Sequence, residues 1–305
     1  MTIQAAYEAF LEDRQIYCSA GTLCTYRGHL KNFFVWIECK YNTPLVELHF
    51  EDILEKDNLL SGYVLELRRQ NPDIRNTTIR SYCRVVKAFL RFCYEKDYCR
   101  DYIKGVKLPR DDAAPKQPLY QDEVEKIDSC FNPDTIKGMR DYCMVHLMLD
   151  CGMRCQEVRH LCVEHLQPER NIILIQDSKG RKSRFTLAPD FIFDAIRKYM
   201  GLCGRSSGTI FLGVRDRKPL TQNAIKQLFQ NLKAQTGINR LHAHLLRHTF
   251  ATSYLIGGGN LEFLRVFMGH YDYSVTQGYT QIAAQCKMLG ADIYRLDQIF
   301  FTRGY

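Results

Sequence analysis

The sequence predicts a mainly helical protein of two domains, with a small antiparallel sheet in the second. Three observations predict it. Apolar residues recur at three- and four-residue steps in both halves of the 305-residue chain, the period of helices buried on one face. The segment from Asn171 to Leu187 reads instead as two β-type runs around a turn. Between the helical patterns lies LPRDDAAPKQP, Leu108 to Pro118, whose three prolines and clustered charges suit an exposed linker and no regular element.

In the first domain, TLCTYRGHLKNFFVWI places Leu23, Tyr26, Leu30, Phe33 and Ile37 on one helical face. A second helix is predicted from about Thr77 to Lys96, with Ile79, Val86, Phe89, Leu90 and Cys93 inward. On its other side Arg80, Arg84, Lys87 and Arg91 fall at i, i+4, i+7 and i+11, a stripe of four cations without an acid among them. Such a stripe is either a solvated face or a row of phosphate contacts.

The second domain opens with helical periodicity from Asp141 to Leu149, broken by Gly152, and a short helix from about Cys155 to Leu161. NIILIQ (Asn171 to Gln176) and SRFTL are the two strands. Asp177, Ser178, Lys179 and Gly180 supply the turn, which puts Lys179 at a hairpin tip. From Phe191 onward the pattern is mainly helical. In the tail from Gln281, Ile293, Leu296 and Phe300 have helical spacing, with Ile299 beside them; that stripe suits burial against its own domain or a neighbouring protomer equally.

Composition bounds the function. A hydrophobic fraction of 46% is that of a globular protein, and the net charge of +8 suits a polyanionic partner without specifying one. The 13 cysteines, an odd number without framework spacing, fit a cytoplasmic protein with reduced thiols. Neither a signal peptide nor a membrane-spanning run is evident. No phosphate-binding GxxxxGK[ST] loop occurs. Cys151 and Cys155, four apart, and the histidines 242, 244 and 248 do not match zinc-site spacing, so no metal is expected.

Four segments are informative together: GMRCQEV around Arg154, DSKGRK around Lys179, HAHLLRHTFAT around Arg247 and MGHYDYSVTQGYT around Tyr279. Singly each is weak, since a lone arginine is ordinarily a surface cation and a tyrosine ordinarily core or rim. In this order, with H-x-x-R-H at His244 to His248, Gly269-His270 next and Tyr279 nine residues later, the sequence resembles the tyrosine recombinases: phage integrases, Xer-type resolvases and conjugative-transposon integrases. The resemblance is detailed from about Tyr120 to Thr280 and only architectural before that.

The resemblance implies Arg154, Lys179, His244, Arg247, His270 and Tyr279 as catalytic residues, with Glu157 supporting Arg154. It implies a helical, SAM-like core-binding domain over 1–108, a linker over 109–118 and a catalytic domain with a C-terminal helical tail over 119–305. It further implies a clamp around duplex DNA, a homotetramer on two recombination sites, strand exchange through a Holliday junction and a possible DNA-bending or directionality factor. A separate arm-binding domain is not expected ahead of the first domain, as in the simple, shorter recombinases. Leu245, Tyr271 and Tyr273 depart from the family pattern, and only Tyr279 has its spacing.

The chemistry needs these residue types. A phosphodiester under attack gains a second negative charge, and two guanidiniums, Arg154 and Arg247, grip its non-bridging oxygens with forked hydrogen bonds and stay charged. Tyr279 needs help losing its phenolic proton, and His244 is the candidate to assist. Lys179 would protonate the departing 5′-oxygen and His270 would hydrogen-bond a phosphate oxygen. A phosphotyrosine link conserves the energy of the broken bond, so neither ATP nor a metal cofactor is required. Two rival readings fit the same residues: a type IB topoisomerase-like activity, and a DNA-binding regulator that has lost catalysis. Arg80, Arg84, Lys87 and Arg91 are the candidate DNA contacts of the first domain.

Overall fold

The computed structural model describes residues 1–55, 57–110, 117–176, 183–269 and 273–297, and divides into two units, Met1–Ala114 and Pro115–Tyr305. Lys179 and His270 lie outside the described residues, as do Tyr271, Ile299 and Phe300.

The first unit is built on α1 (Ile3–Gln15), α2 (Ala20–Tyr41), α3 (Leu59–Gln70) and α4 (Asn76–Glu95). Caps set the ends where the sequence supplies them. The Ser19 hydroxyl accepts the Thr22 amide at 3.3 Å to start α2, and Asn42 in the left-handed region (φ 50°) stops it. The inward faces meet in a core rich in phenylalanine. Phe10 and Phe89 pack edge to face at 5.6 Å, Phe34 and Phe89 at 5.4 Å, and Phe33 and Tyr63 at 5.1 Å. Such contacts add about 0.5–1.5 kcal/mol each beyond area burial. With Ile79, Cys83, Val86, Phe89, Leu90 and Cys93 buried on one face of α4, Arg80, Arg84 and Arg91 are left exposed and Lys87 half-buried.

The second unit contains α5 (Gln121–Asp128), α6 (Ile136–Leu149), α7 (Cys155–Arg159), α8 (Asp190–Leu202), α9 (Gln222–Thr236), α10 (Ala243–Ile256), α11 (Leu261–Met268) and α12 (Tyr273–Met288). Three short strands, β1 (Leu166–Gln167), β2 (Ile172–Ile175) and β3 (Arg184–Leu187), form an antiparallel sheet in the order β1-β2-β3, with Ile175 opposite Arg184. The sheet agrees with the class expected from sequence. Its two-residue first strand is too short to show a period.

Helix α10 is the centre of this unit. Every residue from Leu245 to Tyr254 is buried, polar ones included, so each polar group must be satisfied internally. Thr249 donates to the Leu245 carbonyl and accepts the Leu119 amide at 2.9 Å; Ser253 donates to the Tyr294 carbonyl at 2.6 Å. These bonds tie both ends of the unit to its middle.

The tail requires a correction. Helical spacing at Ile293, Leu296 and Phe300 pointed to a helix, but α12 stops at Met288 and the chain turns at Gly290 (φ 60°). Ile293 instead forms a bridge with Tyr120, and the Gln121 amide donates to the Asp292 carbonyl at 3.0 Å. Apolar residues three apart in so short a stretch satisfy more than one backbone geometry, and here pairing with the chain entering α5 decides. Ile293 and Leu296 are buried within their own unit, while Ile299 and Phe300 of the same stripe lie outside the described residues.

That strap ends on a buried polar network. The Tyr294 hydroxyl donates to Asp150 Oδ1 at 2.7 Å. His146 stands between Asp150 (Nδ1 to Oδ2, 2.7 Å) and Asp128 (Nε2 to Oδ1, 2.8 Å). Burial pulls the imidazole pKa down, but the hydrogen bonds to the two carboxylates outweigh it and push it up to about 9.

Candidate active site

The site is assembled from the turn after α6, the end of α11 and the helices α10 and α12. After α6 the backbone reverses at Gly152 (φ 63°), where a Cβ would lie 2.5 Å from Phe250 Cδ1, so only glycine fits. The turn delivers Arg154 to the N-cap of α7. Glu157, one turn on, accepts the Arg154 backbone amide on Oε2 at 2.7 Å and its Nη1 on Oε1 at 2.8 Å. Arg154 Nη2 donates to the Gly269 carbonyl at 2.9 Å. Its side chain remains 41% exposed, open to a ligand.

Arg247 comes from the buried second turn of α10 and is only 2% exposed. Its Nη1 donates to the Gly152 carbonyl and its Nη2 to the Met268 carbonyl. The carbonyls of Met268 and Gly269, at the C-terminal end of α11, therefore receive one guanidinium each, where the helix dipole is negative. Burial, and then the Arg154 charge, lowers the Arg247 pKa to about 9, which leaves it a cation at neutral pH.

Tyr279 lies on α12, 6% exposed, within an apolar cluster that includes Leu187, Phe250, Leu264, Met268 and Leu296. Burial raises its pKa above the ordinary phenol value, while Arg247 and Arg154 pull it back. Among the described residues, the histidine ring packed against it is that of His248, centroids 5.1 Å apart, whereas His244 is exposed on the first turn of α10. Sequence reasoning missed this pairing, although His248 stood in the same H-x-x-R-H run. It also missed Arg184 at the start of β3, whose Nη2 donates to Glu157 Oε2 at 2.8 Å. An arginine four residues past the Asp177–Gly180 turn offers no local signal of such a partner.

The structure thus brings Arg154, Glu157, Arg247 and Tyr279 together, with His244 on the same helix as Arg247. Arg80, Arg84, Lys87 and Arg91 belong to the other unit. Among the described residues no cluster of histidine, cysteine and acidic side chains is arranged to hold a metal ion.

Cations held this way, beside a buried phenol, suit an enzyme that breaks and rejoins phosphodiesters. The chain belongs to the phage integrase family, whose model matches residues 117–285. It is a tyrosine-type site-specific DNA recombinase. It is 26% identical to a tyrosine recombinase of Pseudothermotoga lettingae over 88% of this chain and 90% of that one. It is 25% identical to the tyrosine recombinase XerC of Staphylococcus haemolyticus over 88% of both. Among solved structures, the fold is shared with the Tn1549 transposon integrase in complex with transposon right-end DNA (TM-score 0.74, 17% identity, 95% of this chain and 99% of that one). It is shared too with a lambda integrase dimer on a core site (TM-score 0.69, 14% identity, 92% and 95%).

Proposed function

We propose that Tyr279 is the nucleophile. Its phenolic oxygen attacks the scissile phosphorus, forms a 3′-phosphotyrosine and releases a 5′-hydroxyl; attack by a 5′-hydroxyl on that link frees the tyrosine and reseals the strand. The observation that carries this reading is the convergence of Arg154 and Arg247 on the carbonyls ending α11, with Tyr279 within their field. Two guanidiniums fixed before the substrate arrives need no reorganisation as the phosphate becomes dianionic.

The remaining roles follow from chemistry and family. His244, exposed beside Arg247, assists removal of the phenolic proton, Lys179 protonates the leaving 5′-oxygen, and His270 hydrogen-bonds a phosphate oxygen. Glu157 holds Arg154. The substrate is duplex DNA carrying recombination sites, on which four copies assemble and exchange strands through a Holliday junction to integrate, excise or resolve DNA, with or without a bending or directionality factor. The residues between Leu108 and Pro118 link the core-binding and catalytic domains. The α4 cations contact phosphates, and the free thiols suit a reducing cytoplasm.

The test uses nicked duplexes carrying sites from beside the protein's own gene, so that cleavage releases a short fragment and traps the adduct. A protein–DNA adduct on denaturing gels that disappears in Tyr279→Phe and persists in Tyr271→Phe and Tyr273→Phe is the expected result. Tight, sequence-specific binding without any adduct would instead mark a regulator.

A further inference from the structure

Glu157 is shared. Its Oε1 serves Arg154 Nη1 at 2.8 Å, while Oε2 accepts both the Arg154 amide at 2.7 Å and Arg184 Nη2 at 2.8 Å. The Arg184 side chain is 11% exposed and Glu157 14%, against 41% for Arg154. One arginine thus faces outward to a ligand and the other is sequestered behind the carboxylate. A carboxylate this enclosed needs its lone pairs satisfied to be held in place. Arg184 supplies that from the strand side.

The same residue meets the α11 turn. Gly269 has φ 56°, and a Cβ there would come within 2.6 Å of Arg184 Nε and 3.4 Å of Arg154 Nη1. Both guanidinium side chains lie over this glycine, next in sequence to His270. The Arg184 charge also reaches Arg247, whose pKa it lowers. Three guanidiniums and one carboxylate leave a formal excess of two positive charges, matched to a phosphate that becomes a dianion in the transition state.

We propose that Arg184 is a positioning residue for DNA cleavage: by clamping Glu157 from β3, it fixes the angle at which Arg154 meets the scissile phosphate. It acts through Glu157 and touches no substrate atom. This rests on the reading of Arg154 as the phosphate-gripping residue, so the test carries Arg154→Ala alongside.

The experiment is single-turnover cleavage of the nicked duplex by the full chain as wild type, Arg184→Gln, Arg184→Lys, Glu157→Gln, the Arg184→Gln/Glu157→Gln pair and Arg154→Ala, with Tm and duplex affinity measured for each. Arg184→Gln should slow cleavage about 10- to 100-fold, the range for loss of an outer partner of a reacting centre, with duplex affinity unchanged. Arg184→Lys, which keeps the charge and loses the fork, should recover part of the rate. In the Glu157→Gln background, Arg184→Gln should cost no more than about twofold, because its route to Arg154 is already cut. The proposal is overturned if Arg184→Gln cleaves like the wild type, if its full effect persists without Glu157, or if the rate loss only follows weaker duplex binding. Should Arg184→Gln not fold, Arg184→Lys makes the same comparison. Loss of cleavage in Arg154→Ala with wild-type cleavage in the Arg184 variants sinks this inference alone; wild-type cleavage in Arg154→Ala sinks the site reading beneath it as well.

Discussion

The two units hold their cations in opposite ways. On α4, Arg80, Arg84 and Arg91 project into solvent, and Arg80 reaches only as far as the Pro109 carbonyl at 3.0 Å. In the second unit Arg154, Arg184 and Arg247 are fastened to backbone carbonyls and to Glu157. An exposed cation is screened by salt and adapts to whichever phosphate it meets. A caged one has lost much of its hydration and its freedom before substrate arrives, which costs folding energy and contributes to the transition state. Under the proposed function, affinity would fall to the first unit and rate to the second.

The largest expected effect breaks the cage itself. Arg247→Leu keeps bulk and removes the buried charge, and should slow single-turnover cleavage about 100- to 1,000-fold, as for a lost oxyanion donor. Cleavage within about tenfold of wild type would show that burial confers no advantage here. Next comes the floor of the cage. Gly152→Ala combines left-handed strain with a clash against buried Phe250, and should cost about 3 kcal/mol in urea unfolding. Gly237→Ala, with φ 71° and open space around it, should cost about 1 kcal/mol. Equal losses would mean that the Phe250 ring moves aside freely.

A caged cation should also bind stability to pH, and an exposed row should not. His146, folded pKa about 9 against an ordinary 6.5, binds its proton more tightly in the folded state. Its contribution is therefore complete below about pH 6.5 and is lost as pH rises through 9, up to about 3 kcal/mol. Unfolding free energies measured across that window should fall in the wild type and stay flatter in His146→Gln. The smallest effect belongs to α4. Arg84→Glu with Lys87→Glu should weaken duplex binding and reduce the slope of log K against log salt by about 0.9 for each phosphate no longer neutralised, leaving cleavage at saturating protein near wild type. Unchanged affinity and slope would make the row a solvated face only.

Much of this was legible in the sequence because it is local. A helical period in α2 and α4 dictates which residues turn inward, and the turn chemistry of Asp177 to Gly180 requires a reversal between β2 and β3. The separation of three between Arg154 and Glu157 puts both on one turn of helix, and the order of the boxes named the family. Where local pattern was ambiguous, it misled. Ile293 and Leu296 have helical spacing but sit on a non-helical strap, since one pair of apolar residues cannot distinguish a short helix from an extended segment held by a neighbour.

The sequence by itself determined helices α2, α4 and α6, the antiparallel β2–β3 pair and the residue types that meet around Arg154 and Arg247, because each is written in near neighbours. Tertiary structure alone decided which carbonyls cage Arg247, 95 residues from Gly152, and Arg154, 115 residues from Gly269. It also decided that His248 packs on Tyr279 and that Arg184 shares Glu157. These pairings depend on how α7, β3, α10 and the α11 turn stack, and stacking is set by the summed burial of a whole core that no short stretch of sequence encodes.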